Sequence, residues 1–425
     1  MAQLTIRKRL VAAAAIGVTM ALAVSGCAPS SNADVVIRIA MGSSGDAVDS
    51  KFDELKQIYE AKYPDREVEI IIQEDDVYQT TGLPTLLSSR EAPDAYFEWS
   101  GPRMRSHVAD GNGADVSEYL SGDAFAGRFD EGAFTGMDVD GSGTYMVPWT
   151  GDVTDVVWYN KTIFDDLGLE VPTTWDEFMD VCDAIKESGV TPIVEGNKDQ
   201  WTVGNWASHI VSRVIGEESY AQTMVGDAPM NSPEMVDALG YIAQLAKEGY
   251  INDSVNALAD DEANTQFFLG KAAMIVIGSW LMADAETDGD GLDFDYFNTP
   301  ALDGVGDQES VLGISTGFMV NEKSEHIQET IDFLALVASA EGTKLWAEAG
   351  LAPMTVDPFA GVDADERTVS LATLMSTAPT VVAPADSGYD IEVAAAFYDA
   401  VANVIGGGDV QDALDTAEKR VEEIR

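Results

Sequence analysis

Val35-Val36-Ile37-Arg38-Ile39-Ala40, then Gly42-Ser43-Ser44-Gly45, then Phe52 to Tyr63, then Val68-Glu69-Ile70-Ile71-Ile72 decide the fold class. The first run is almost wholly apolar and opens into a Gly/Ser loop, as a buried strand does. The next segment carries Phe52, Leu55, Ile58 and Tyr59 at helical spacing and is stopped by Pro64. A second apolar run follows, Ala95-Tyr96-Phe97 is a later strand, and strand and helix alternate onward without internal repeat. The reading is α/β, with open sheets flanked by helices. No Gly/Pro/Ser-rich spacer separates independent domains, so two domains would be crossed more than once by ordinary strands.

A chain of 425 residues can bury a large core, and its length favours two domains. Its net charge of −50, from 24 basic and 74 acidic residues, does not signal disorder, because apolar residues make up 46% and recur throughout. So acidic a surface repels phosphate backbones and excludes nucleic acid as a partner. The acids are dispersed, which suits a surface kept hydrated in a salty medium; a cation site is the rival reading.

At the N-terminus Arg7, Lys8 and Arg9 precede an apolar stretch, Leu10 to Val24, that is short for a membrane span and right for a signal-peptide core. It ends in Leu22-Ala23-Val24-Ser25-Gly26-Cys27. Small residues before a cysteine resemble a bacterial lipobox. The expectation is cleavage of residues 1–26, a lipid on Cys27 and a polar tether over 27–33, anchoring the protein outside the membrane without spanning it. Cleavage removes three positive charges and no acid, leaving −53. Cys182, in a stretch of helical periodicity, is expected to be a buried inert thiol with no disulfide partner.

Several enzyme signatures fail. Gly313-Ile314-Ser315-Thr316-Gly317 matches G-x-S-x-G, but the only later histidine is His326, too near for an intervening acid. His107, His209 and His326 lack zinc-site spacing. Asp138-x-Asp140-x-Ser142-Gly143 imitates a calcium loop but has Trp149 where a bidentate Glu is required, so it reads as a hairpin turn. No catalytic residue, metal or cofactor is expected.

Three segments carry a family resemblance. Met146-Val147-Pro148-Trp149 leads to Val156-Val157-Trp158-Tyr159-Asn160-Lys161 and on to Pro172-Thr173-Thr174-Trp175-Asp176-Glu177-Phe178; Phe267 to Met274 is followed by Gly278-Ser279-Trp280; Gly350-Leu351-Ala352-Pro353 comes later. These runs are similar, in order, to the extracellular solute-binding proteins of ATP-driven importers, in the carbohydrate branch of maltose-binding-protein-like members. The resemblance implies a monomer of two α/β lobes joined by a hinge of about three crossings, with a sugar held between them and passed to separate permease and ATPase chains. By motif order, lobe one is 34–149 plus 281–316 and lobe two is 150–280 plus 317–425, with 278–280 as one crossing. Ligand contacts are expected from Asp46, in the loop after the first strand, and from Glu98, Trp99, Trp201, Trp206, Ser279, Trp280 and Tyr389. Trp158, Trp175 and Trp346 are assigned to the core. The alternatives are a binding protein for another solute, such as a polyamine, and a secreted carbohydrate-active enzyme.

Overall fold

A computed structural model describes residues 33–289 and 291–425; the leader and Cys27 lie outside the described residues. Ten strands are described: β1 (Val35–Gly42), β2 (Arg66–Gln73), β3 (Ala95–Trp99), β4 (Val147–Val153), β5 (Val156–Asn160), β6 (Thr191–Ile193), β7 (Ala272–Ile277), β8 (Phe294–Phe297), β9 (Val311–Val320) and β10 (Val381–Val382). They form two sheets. The first runs β10-β9-β3-β1-β2 with β4 also paired to β9, and the second runs β6-β7-β5-β8.

β1 and β2 pair in parallel from Val35↔Arg66 to Gly42↔Gln73, joined by the helix Asp46–Lys62, which buries Val48, Phe52, Leu55 and Tyr59 along one stripe. That helix begins six residues before Phe52, where the apolar periodicity starts. Gly45 at φ 88° turns the chain into it, and Asp46 and Asp49 in its first turn favour its positive end. Polar first turns carry no apolar signal.

Two aromatic cores sit on the two sheets. In the first, Phe52 lies 4.7 Å from Trp346 and 5.7 Å from Trp149, with Phe318 5.5 Å from Trp149. In the second, Trp206 of the helix Trp201–Ile215 packs against Trp175 and Phe178. Trp158, Trp175 and Trp346 are buried, and so is the Cys182 thiol, which burial holds protonated. The Asp138 to Thr144 segment closes as a hairpin turn, with Asp140 and Gly141 at positive φ. The G-x-S-x-G run lies inside β9, not at a strand-to-helix elbow.

The packing divides the chain differently from the expectation. Phe318 to Leu351 joins the core built from residues 37–149, whereas Phe297, Leu302 and Leu312 pack with the second and Phe294 joins a third cluster with Trp158 and Ile275 of the second sheet. The cause is β9, which pairs antiparallel with β3 from Val320↔Ala95 to Thr316↔Trp99 and brings the helices Ile327–Val337 and Ala340–Glu348 onto the first lobe. The chain changes sheets at Thr154-Asp155, between β4 and β5, and again between β8 and β9. Gly278-Ser279-Trp280 is not such a passage. It leads from β7 into the short helix Leu281–Asp288, which touches both the helix Asp46–Lys62 and the helix Asp260–Phe268 before the chain returns to the second sheet at β8.

Candidate ligand-binding cleft

Between the lobes lies a cavity of about 360 Å³, within the range of small-molecule sites. The first lobe lines it with the loop leaving β1 (Ser43, Ser44, Gly45), with Glu74, Asp75 and Gln79, with Trp99 and Arg103, and with Trp149, Thr150 and Asp152 from β4. Facing these are Trp201, Asn205, Asp260, Asp261 and Asn264, then Trp280 and Asp284, and Pro384, Asp386 and Ser387.

Trp280 and Trp201 form one aromatic wall, their ring centroids 5.7 Å apart at 53°. A side chain at Gly278 would begin 2.1 Å from the Trp280 ring, so the glycine two positions earlier is what lets that indole fold back. Trp99 lines the other wall. The Arg103 guanidinium lies over its ring at 5.0 Å and the edge of Phe97 at 4.7 Å, so much of its surface is already committed.

Glu98, expected to touch ligand, lies behind that wall. It is fully buried, accepts hydrogen bonds from Arg103 Nε at 3.1 Å and the Trp99 N–H at 3.0 Å, and lies 2.9 Å from His107 Nε2. Burial would raise its pKa, but the charges of Arg103 and His107 and these bonds outweigh burial and hold the carboxyl below its usual range. Period-2 alternation explains the placement: Trp99 and Glu98 cannot face the same side of β3.

On β4, Asp152 accepts from the Thr150 and Ser279 hydroxyls, each at 3.1 Å, and Thr150 shares a 2.7 Å hydrogen bond with Thr316. Burial with no cation close by pushes the Asp152 carboxyl up to about 6. Asp75, hydrogen-bonded by Gln79, is likewise pushed up to about 6, by burial first. Three of the lining residues each carry one polar atom that is closed to solvent and has no hydrogen-bond partner among the described residues: Trp149 Nε1, Thr154 Oγ1 and Asn264 Oδ1. These atoms point away from the open space of the cleft, so the polar surface a ligand meets comes from the other groups of the lining.

Of the other expected contacts, Ser279 lies at the cleft floor beside Asp152, in an adjoining small void. Trp206 does not reach the cleft; it is fully buried in the second core, because its face of the helix Trp201–Ile215 turns inward. Asp46 is drawn into the first helical turn and is not in the lining; Asp49 instead holds the Ser43 hydroxyl and the Ser44 N–H that line the cavity. Tyr389 packs edge-on against Tyr220 at 5.3 Å, outside the lining. Arg103, Trp149, Asp152 and Asn264 were not singled out from sequence. Trp149 alone had a signal, since it ends one of the motif runs.

The model of the family described as bacterial extracellular solute-binding protein matches residues 42–344. The chain belongs to that family. An uncharacterised extracellular-binding protein of an ABC transporter from Pyrococcus horikoshii is 25% identical over 68% of the chain and 65% of its own length. The multiple sugar-binding protein of Streptococcus mutans is 26% identical over 50% of the chain and 51% of its own length. The chain thus spans less than two thirds of either curated relative. A solved structure reported for xylan utilisation by Caldanaerobius polysaccharolyticus superposes with a TM-score of 0.83, at 22% identity, over 92% of this chain and 100% of that one. That likeness shows the two-lobed solute-binding fold. As a member of an extracellular family this solute-binding protein works outside the cytoplasm; no described helix is long and apolar enough to cross a membrane.

Proposed function

We propose that this solute-binding protein captures a sugar or oligosaccharide in the inter-lobe cleft and delivers it to the permease of an ATP-driven importer. It acts as a monomer without chemistry of its own, held at the membrane by a lipid on Cys27. The observation that carries the reading is the combination in one cavity of indoles from both walls with carboxylates, amides and hydroxyls, Asp152, Gln79, Asn205 and Thr150 among them. Flat apolar faces suit sugar C–H surfaces, and carboxylates, amides and hydroxyls suit sugar hydroxyls. The sugar named for the Streptococcus relative, and the xylan named for the structural neighbour, point the same way. The lipobox-like run before Cys27 supports the anchor.

Calorimetric titration against mono- and oligosaccharides tests the reading. A neutral sugar should bind stoichiometrically, be recovered unchanged, and lose little affinity between low salt and about 0.5 M salt, where charge pairs are screened within about 4–5 Å. A di- or polyamine as the dominant ligand, with steep salt dependence, would refute it. For the anchor, Cys27→Ala should release the protein from the membrane fraction, and absence of an acyl chain by mass spectrometry would remove that claim.

A further inference from the structure

The charge of the cleft wall is lopsided. Glu74, Asp75, Asp261 and Asp386 are among its carboxylates, and among the described residues Arg103 is the one basic side chain in the lining. Arg103 is not an available counter-ion. Its Nε is engaged 3.1 Å from Glu98, whose carboxylate is sealed from solvent and fixed by His107 and the Trp99 N–H. The guanidinium can still donate N–H groups, but its charge is already met by a partner at contact distance.

The rest of the polar lining is neutral or acidic, with amides and hydroxyls from Gln79, Asn205, Ser43 and Thr150. Ligand hydroxyls can donate to carboxylates and amide oxygens alike and can also accept. A carboxylate or sulfate can only accept, so it would face the acid oxygens as a second acceptor and add a like charge to a wall of acids.

We infer that the cleft selects saccharides free of anionic groups and rejects uronate, sulfate and phosphate derivatives of the same chain, with Glu98 as the positioning residue that cancels the cation an acidic sugar would need. This rests on the carbohydrate reading and narrows its substrate class. Discrimination against an acidic analogue comes from placing like charges together and acceptor against acceptor, an effect of about a hundredfold or more.

The test is calorimetry on the purified full chain at about 50 mM salt, with whichever neutral saccharide binds and the same saccharide bearing one glucuronate. The expected result is at least a hundredfold weaker binding of the acidic member, with the gap narrowing at about 0.5 M salt. Glu98→Gln should shrink the acidic-to-neutral ratio at least tenfold by freeing Arg103. Asp261→Asn, at an exposed lining position where folding is not at stake, should shrink it about threefold, the effect of one screened charge. Equal affinities for the two saccharides, or a ratio unmoved in both variants, would overturn the inference and leave sugar capture standing. If no saccharide of either charge binds, both fall.

Discussion

Trp280 and Trp206 are both tryptophans expected at the ligand, yet only one lines the cleft. Trp280→Ala should weaken sugar binding about five- to thirtyfold while leaving the fold intact, since a stacked ring contributes on the order of 1–2 kcal/mol. Trp206→Ala should instead cost about 3–5 kcal/mol of stability by opening a cavity in the core. Titration and chemical denaturation of the two variants separate the roles; unchanged affinity in folded Trp280→Ala removes it from the site. Asp152 offers a second residue-scale test. Its carboxyl is raised from 3.8 to about 6 in the folded protein, so between those values the native state holds a proton that the unfolded chain has released. Stability therefore falls as pH rises through about 4 to 6, and above that window the buried charge costs on the order of 1–3 kcal/mol. An asparagine there can still accept from one hydroxyl and donate to the other. Asp152→Asn should melt higher than the parent at pH 8 and level with it near pH 4; a constant gap across that range would show that the charge is not the cause.

The passage between β4 and β5 is tied down by a buried ionic cluster. Asp155, at that passage, lies 2.8 Å from His209 Nδ1 and accepts from the Thr299 hydroxyl at 3.4 Å. Arg213, one turn along the same helix as His209, donates to the Thr299 carbonyl and, at 2.6 Å, to the Ser310 carbonyl. Both segments that join the two sheets are thereby fastened to one helix of the second lobe. Burial dominates the energetics: it lowers the His209 pKa, brings Arg213 down to about 10 and raises Asp155. Asp155→Ala removes the partner of His209 and one of the two anions, with Asp307, that offset the buried guanidinium, which costs about 3 kcal/mol. A urea midpoint that does not move would show the cluster to be energetically idle.

For the whole molecule the dominant physical fact is a net charge of −50. Self-repulsion of that size opposes compaction and is weakened as salt shortens the screening length from about 10 Å at 0.1 M to about 3 Å at 1 M. The melting temperature should therefore rise by several degrees over that range, with sodium chloride and potassium chloride acting alike. A flat profile would mean that the acids are too dispersed to repel. Steep dependence on one cation only would point to bound ions.

Periodicity and punctuation along the chain were sufficient for the α/β class, for β1 and the helix after it, and for the buried states of Trp158, Trp175, Trp346 and Cys182, because those depend on local apolar patterning. The Gly278-Ser279-Trp280 run was marked by family resemblance, and the structure supplies the reason for its glycine, on which the indole folds back. What local pattern could not contain was decided by tertiary structure. β9 joins the first sheet through pairing with β3, more than 200 residues earlier, and that pairing moves residues 318–351 to the first lobe. Glu98 and Trp99 are neighbours in sequence, and only the sheet's placement settles that the indole meets the cleft while the carboxylate is sealed behind it. Arg103, Asp152 and Asn264 become cleft residues because separate elements converge there, and convergence has no signature in any single stretch of chain.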